Sequence, residues 1–60
     1  RKSIFIFKDI KKGEKFTRKN IKVIRPYHGL HPKYFDFVLN KKSKTNLYAG
    51  DPLKIKYVQK

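Results

Sequence analysis

The chain has 60 residues, enough for one small domain, and at this size a single core supplies only about 3–5 kcal/mol, so support from a partner is expected. It holds no cysteine, which excludes disulfides and thiolate metal sites and makes a reducing cytoplasm the expected location. Seventeen basic residues against four acidic ones give a formal charge of +13, which calls for an anionic partner: nucleic acid, an acidic companion domain or a negatively charged small substrate.

No apolar run approaches the ~20 residues of a membrane span, and no signal peptide is visible. The chain contains no methionine and opens on Arg1, so it is expected to be a piece of a longer protein, with residues 1–60 forming one domain. Nearly all the basic residues are lysines scattered along the sequence, the pattern of a solvated surface more than of a designed groove.

In chain order, Ser3 to Phe7 is rich in β-branched and aromatic residues and predicts a strand. Thr17 stands where a cap is needed for a single helical turn over Arg18 to Ile21. Lys22 to Arg25 predicts a second strand, which runs into Pro26-Tyr27-His28-Gly29-Leu30-His31-Pro32. Pro26 locks its own φ and drives Arg25 toward an extended conformation, so the guanidinium can project beyond the strand end. Gly29 permits a tight reversal, and Pro32 suits the first position of a short helix reaching Phe37. Asn40 sits where a left-handed residue is expected. Lys42 to Lys44 predicts a weak third strand, and Lys54 to Tyr57, where Ile55 and Tyr57 alternate with lysines, a fourth.

Arg25 is the candidate binding residue, because a planar fork of donors at a strand end is suited to an oxygen-rich ligand. Pro26, Tyr27, Gly29, His31 and Pro32 form its supporting loop. The alternative is an ordinary surface arginine beside a structural turn.

An internal repeat organises the whole. Asp9-Ile10-Lys11-Lys12-Gly13 and Asn46-Leu47-Tyr48-Ala49-Gly50 share the pattern Asx, aliphatic, two variable residues, Gly, at an offset of 37 that continues to Ile21 over Val58. Each copy sets an Asx and a glycine around a tight reversal anchored by an aliphatic residue. Two copies predict a mostly β, pseudo-twofold domain with one-turn helices, and they are too few for a solenoid. The expected core is Ile4, Ile6, Ile10, Phe16, Ile21, Val23, Leu30, Val38, Leu39, Leu47, Leu53, Ile55 and Val58.

The Asp9–Glu14 turn, Phe16-Thr17, Asn20-Ile21, Ile24-Arg25-Pro26 and Gly29-Leu30-His31-Pro32-Lys33-Tyr34 together resemble the SAF, or antifreeze-like, domain of sialic-acid-type synthases, a small β-clip fold. The last of these segments resembles the pseudaminic acid synthase branch. The resemblance implies a C-terminal domain of a transferase whose TIM barrel condenses phosphoenolpyruvate with an acylamino sugar, using a divalent cation, Mn or Mg. It implies that the domain caps the barrel of the neighbouring subunit in a domain-swapped homodimer, with Arg25 holding the sugar. The chemical residues would lie in the barrel, so no catalytic residue and no cofactor is expected in this domain. Tyr27 stands where many members carry glycine, which would strain the loop if a positive φ were required there.

Other chemistry finds less support. His28 and His31 are spaced as a metal pair could be, yet no cysteine and only four carboxylates are available to complete it. No motif marks a nucleophile beside a base. Aromatic residues interleaved with lysines keep a small nucleic-acid-binding module as the alternative function, although so small a domain needs several of those rings for its core. An ice-binding surface would require small, weakly hydrated groups where this chain offers lysines.

Overall fold

The computed structural model describes residues 1–59, so the expected domain end at Lys60 lies outside the described residues. Four short strands are present: β1 (Ser3–Ile6), β2 (Ile21–Ile24), β3 (Lys42–Ser43) and β4 (Val58–Gln59). β1 pairs antiparallel with β2, Ile6 opposite Ile21, and β3 pairs antiparallel with β4, Ser43 opposite Val58. Between β2 and β3 lie a 3₁₀ turn (Pro32–Tyr34) and one turn of helix, α1 (Phe35–Val38).

The repeat seen in the sequence is a repeat of hydrogen bonds. Ile10 and Leu47 face each other across the pseudo-twofold and exchange both backbone bonds, at 2.8 and 2.7 Å. Asp9 Oδ1 accepts from the Ala49 amide and Asn46 Oδ1 from the Lys12 amide, each at 2.8 Å, so each turn caps the other. Gly13 donates to the Ser43 carbonyl and Gly50 to that of Ile6, again each at 2.8 Å. Both glycines hold positive φ, 88° and 97°, which an L side chain resists. Glu14 and Asp51 close their turns identically, accepting from the amides of Lys11 and Tyr48 at 2.9 Å. Three of the four carboxylates are thereby committed to turn geometry.

The core forms where the halves meet. Ile4, Ile6, Ile10, Phe16, Ile21, Val38, Leu47, Leu53 and Val58 are buried as expected, and Phe16 and Leu53, equivalent under the repeat, are both fully enclosed. Val23, Leu30 and Leu39 pack against this cluster half-buried, and Phe5, outside the expected core, is buried. Asn40 has the left-handed φ expected of it, 70°.

Two expectations are corrected. Residues 54–57 form no strand: Ile55–Tyr57 is a 3₁₀ turn, and only Val58 and Gln59 pair as β4. Ile55 accordingly leaves the core and is 43% exposed. The repeat explains why, since Tyr57 donates to the Lys54 carbonyl at 3.0 Å just as Asn20 donates to that of Thr17 at 3.2 Å. The Thr17–Asn20 segment is a hydrogen-bonded turn that feeds β2 directly, with Thr17 Oγ1 accepting from the Lys19 amide.

Candidate functional site

Arg25 follows the last residue of β2 and is joined to Pro26 by a cis peptide bond. Its side chain is exposed. Among the described residues the one ion pair is Arg18 Nη2 with Asp36 Oδ1 at 3.7 Å, and no hydrogen bond engages the Arg25 guanidinium. Its five donors therefore remain available to a ligand.

The loop beyond Arg25 is held from below by a residue that carries no motif. Ser3, fully buried at the start of β1, donates through Oγ to the Pro26 carbonyl at 2.8 Å. The same oxygen accepts from the His28 and Gly29 amides at 3.2 and 3.0 Å. One hydroxyl thus fastens three backbone groups on either side of Tyr27. Lys54 adds a further tie, its Nζ donating to the His28 carbonyl. Sequence reasoning missed Ser3, because a serine in a strand looks ordinary until its tertiary partners are known.

Gly29 is required for a different reason than a reversal. Its φ is not positive, but a Cβ there would collide with the Ile4 carbonyl oxygen and lie 3.0 Å from both the amide nitrogen and the carbonyl oxygen of Leu53. The loop lies directly on β1 and on the segment around Leu53, with Leu30 donating to the Leu53 carbonyl at 2.8 Å. Tyr27 likewise has no positive φ, so the strain anticipated from a side chain at this position does not arise.

His31 precedes the 3₁₀ turn, and its Nδ1 accepts from the Lys33 amide at 3.0 Å, while Pro32 takes the first helical position. Accepting through Nδ1 places the ring proton of neutral His31 on Nε2. Tyr27 meets this imidazole edge-on, with ring centroids 6.1 Å apart and planes at 76°. Tyr27 and His31 also line a groove of about 480 Å³ with Leu30, Tyr34, Ile55 and Tyr57, and Lys54 and Lys56 stand at it. The 3₁₀ turn that removed Ile55 from the core delivers it to this groove.

Among the described residues no group of three or more His, Cys, Asp or Glu is placed to hold a metal ion, and His31 Nδ1 is already engaged. Several aromatic rings elsewhere on the surface are roofed by the chain's own lysines, Lys41 Nζ lying 4.5 Å from the Phe37 ring centroid and Lys22 Nζ 5.0 Å from that of Phe7. Their faces are thus partly occupied, which works against a stacking platform for bases. No helix among the described residues is long and apolar enough to cross a membrane.

The sequence profile of the SAF domain matches residues 1–58. Over 53 residues the chain is 47% identical to the pseudaminic acid synthase of Campylobacter jejuni, covering 88% of this chain and 16% of that protein. It is 48% identical over 52 residues to the pseudaminic acid synthase of Helicobacter pylori, covering 87% of this chain and 15% of that protein. The crystal structure of the spore coat polysaccharide biosynthesis protein SpsE from Bacillus subtilis superposes with a TM-score of 0.88 at 28% identity, over 98% of this chain and 18% of that one. The chain therefore spans less than a fifth of the length of the relatives it matches.

Proposed function

Because this chain belongs to the SAF domain family, we propose that it is the C-terminal substrate-capping domain of a nonulosonic acid synthase of the pseudaminic or sialic type, with Arg25 reaching into a neighbouring subunit's active site. The observation that carries this reading is an exposed arginine, without a described partner, on a loop whose backbone Ser3 fastens at three points. Its similarity to two pseudaminic acid synthases supports the choice of reaction.

In this reading a TIM barrel of the partner subunit binds phosphoenolpyruvate and an acylamino sugar, and this domain closes over its mouth in a homodimer. The Arg25 guanidinium donates to the acylamino carbonyl oxygen. Rigid placement of the sugar contributes by orientation, and closure limits water at the reacting centre. The domain alone performs no chemistry. A divalent cation, Mn or Mg, belongs with the barrel, since among the described residues of this domain no three His, Cys, Asp or Glu side chains are grouped to hold one.

The charge of +13 adds a second contribution, drawing doubly anionic phosphoenolpyruvate toward the barrel mouth. If it does so, kcat/KM for phosphoenolpyruvate falls as ionic strength rises, and a flat response removes this contribution. Such a synthase acts in the cytoplasm.

The decisive experiment is Arg25→Ala in the full-length synthase. Loss of a charged hydrogen bond to the sugar lowers kcat/KM for the sugar by about tenfold to a hundredfold, with the fold intact by circular dichroism. Unchanged sugar kinetics would reject the assignment.

A further inference from the structure

The groove of about 480 Å³ beside the loop has apolar walls and positive charge at its rim. Its volume is ordinary for a small-molecule site. Tyr27, Tyr34, Tyr57, Leu30 and Ile55 make the walls, Lys54, Lys56 and His31 bring donors, and among the described residues no carboxylate lines it. Tyr27, Tyr34 and Ile55 are left between 39 and 50% exposed, outside the buried core.

Both lysines are held in place by the domain itself. Lys54 Nζ donates to the His28 carbonyl and keeps two further N–H donors, and Lys56 Nζ lies 5.5 Å from the Tyr57 ring centroid. A side chain already positioned loses less freedom when a ligand arrives. His31, whose Nδ1 is engaged by the Lys33 amide, brings an N–H at Nε2. Of the three tyrosines, Tyr34 and Tyr57 carry a lysine at the ring, whereas Tyr27 meets the imidazole of His31. Tyr27 and Ile55 thus form the uncharged part of the wall.

Positioned cations at an apolar slot suit a ligand with an anionic end and a flat, weakly hydrated body. A sugar phosphate would press its hydroxyls against apolar walls, while a nucleotide sets a base there and its phosphate on the donors. We propose that the groove is a nucleotide-binding site, with the base against Tyr27 and Ile55 and the phosphate held by Lys54, Lys56 and the His31 Nε2–H. Arg25 does not line this groove, so the site stands apart from the capping role.

The test follows the Ile55 methyl in the full-length protein, labelled at its isoleucine methyl groups, the resonance being assigned by its loss in Ile55→Val. Adenosine monophosphate is the probe, because a purine offers a large stacking face. It should shift the Ile55 methyl with a Kd of about 10 μM to 1 mM. Lys56→Met should raise that Kd about two- to fivefold, the range for an exposed charge pair. Lys8→Met, the same change at an exposed lysine outside the groove, should leave it unchanged.

The absence of a saturable shift overturns the proposal. So does inorganic phosphate or adenosine binding as tightly as the nucleotide, since half of the site would then suffice. Equal losses in Lys56→Met and Lys8→Met would reduce the effect to net charge and overturn it as well. An acidic, tyrosine-containing peptide that binds there more tightly, or a shift produced by concentrating the protein alone, would give the groove to a protein partner or to a second copy instead. Sugar kinetics play no part in this test, so its failure leaves the capping reading to Arg25→Ala.

Discussion

The two halves of the molecule are built on one hydrogen-bond plan, whereas the loop at 25–31 that follows β2 stands outside that plan. In the halves, every turn residue has a counterpart: Asp9 answers Asn46, Gly13 answers Gly50, Phe16 answers Leu53. In the loop, the backbone on either side of Tyr27 is fastened by a buried hydroxyl with no equivalent in the repeat, since the residue 37 positions on from Ser3 is Asn40, which bonds through its backbone to the Phe16 carbonyl. The difference separates what holds the fold from what is presented. Stability lies in the duplicated part, and the features that could meet a ligand, Arg25, Tyr27 and His31, lie in the unduplicated one.

The strongest way to break this comparison is to truncate the paired core residues. Phe16→Ala costs about 3–5 kcal/mol, and Leu53→Ala about 2–5, each close to the whole stability of a domain this size. Neither variant is expected to show a cooperative thermal transition by circular dichroism. If one half tolerates truncation and the other does not, the halves are not equivalent in energy, whatever their geometry.

Gly29→Ala comes next and tests whether the loop lies on the core as closely as its backbone contacts indicate. A methyl there must displace the Ile4 carbonyl or the Leu53 backbone, so the expected loss is about 3 kcal/mol, the upper range for overpacking. Gly13→Ala meets nothing within 4 Å and costs only its left-handed conformation, about 1 kcal/mol. Urea melts of the two variants should differ accordingly; equal losses would mean that the loop yields easily.

This contrast also marks how far the sequence could be read. The repeat was legible because Asx, glycine and aliphatic residues recur at fixed spacing, and each has a local reason to do so. Residues 54–57 were misread because Ile55 and Tyr57 alternate with lysines, which imitates a half-buried strand at a period of two. The signal that corrects this was present: an offset of 37 carries the turn at Thr17 onto Lys54. The placement of Arg25 at a strand end was legible from Pro26. Ser3 was not, since its value depends on backbone groups 23 to 26 residues away. Nor was the true demand on Gly29, which is steric and tertiary where the sequence offers only conformational freedom.

Ser3→Ala sharpens the comparison at the loop itself. The Pro26 carbonyl and the His28 and Gly29 amides lose their shared partner, at a cost of about 1–3 kcal/mol. In amide hydrogen exchange the increase should be confined to residues 27–31, leaving the exchange of Ile10 and Leu47 unchanged. A uniform increase would place Ser3 in the global fold and not in the fastening of the loop. Asp9→Ala and Asn46→Ala are the smaller, symmetrical counterpart, each removing one turn-to-turn bond for about 1 kcal/mol.

Arg25→Ala should have the smallest effect of all on stability, within about 0.5 kcal/mol in a urea melt, because the side chain is exposed and makes no described bond to its own domain. Removing one of the seventeen basic charges also relieves self-repulsion slightly, which works in the same direction as a null result. The prediction gains its force from the pairing with Ser3→Ala, which leaves Arg25 in place but frees the loop that carries it. If the loop exists to present the guanidinium, both variants weaken use of the sugar in the full-length enzyme, yet only Ser3→Ala raises amide exchange in the loop. A destabilised Arg25→Ala variant would mean instead that the arginine supports its own domain, and the separation between fold and presented surface would be lost.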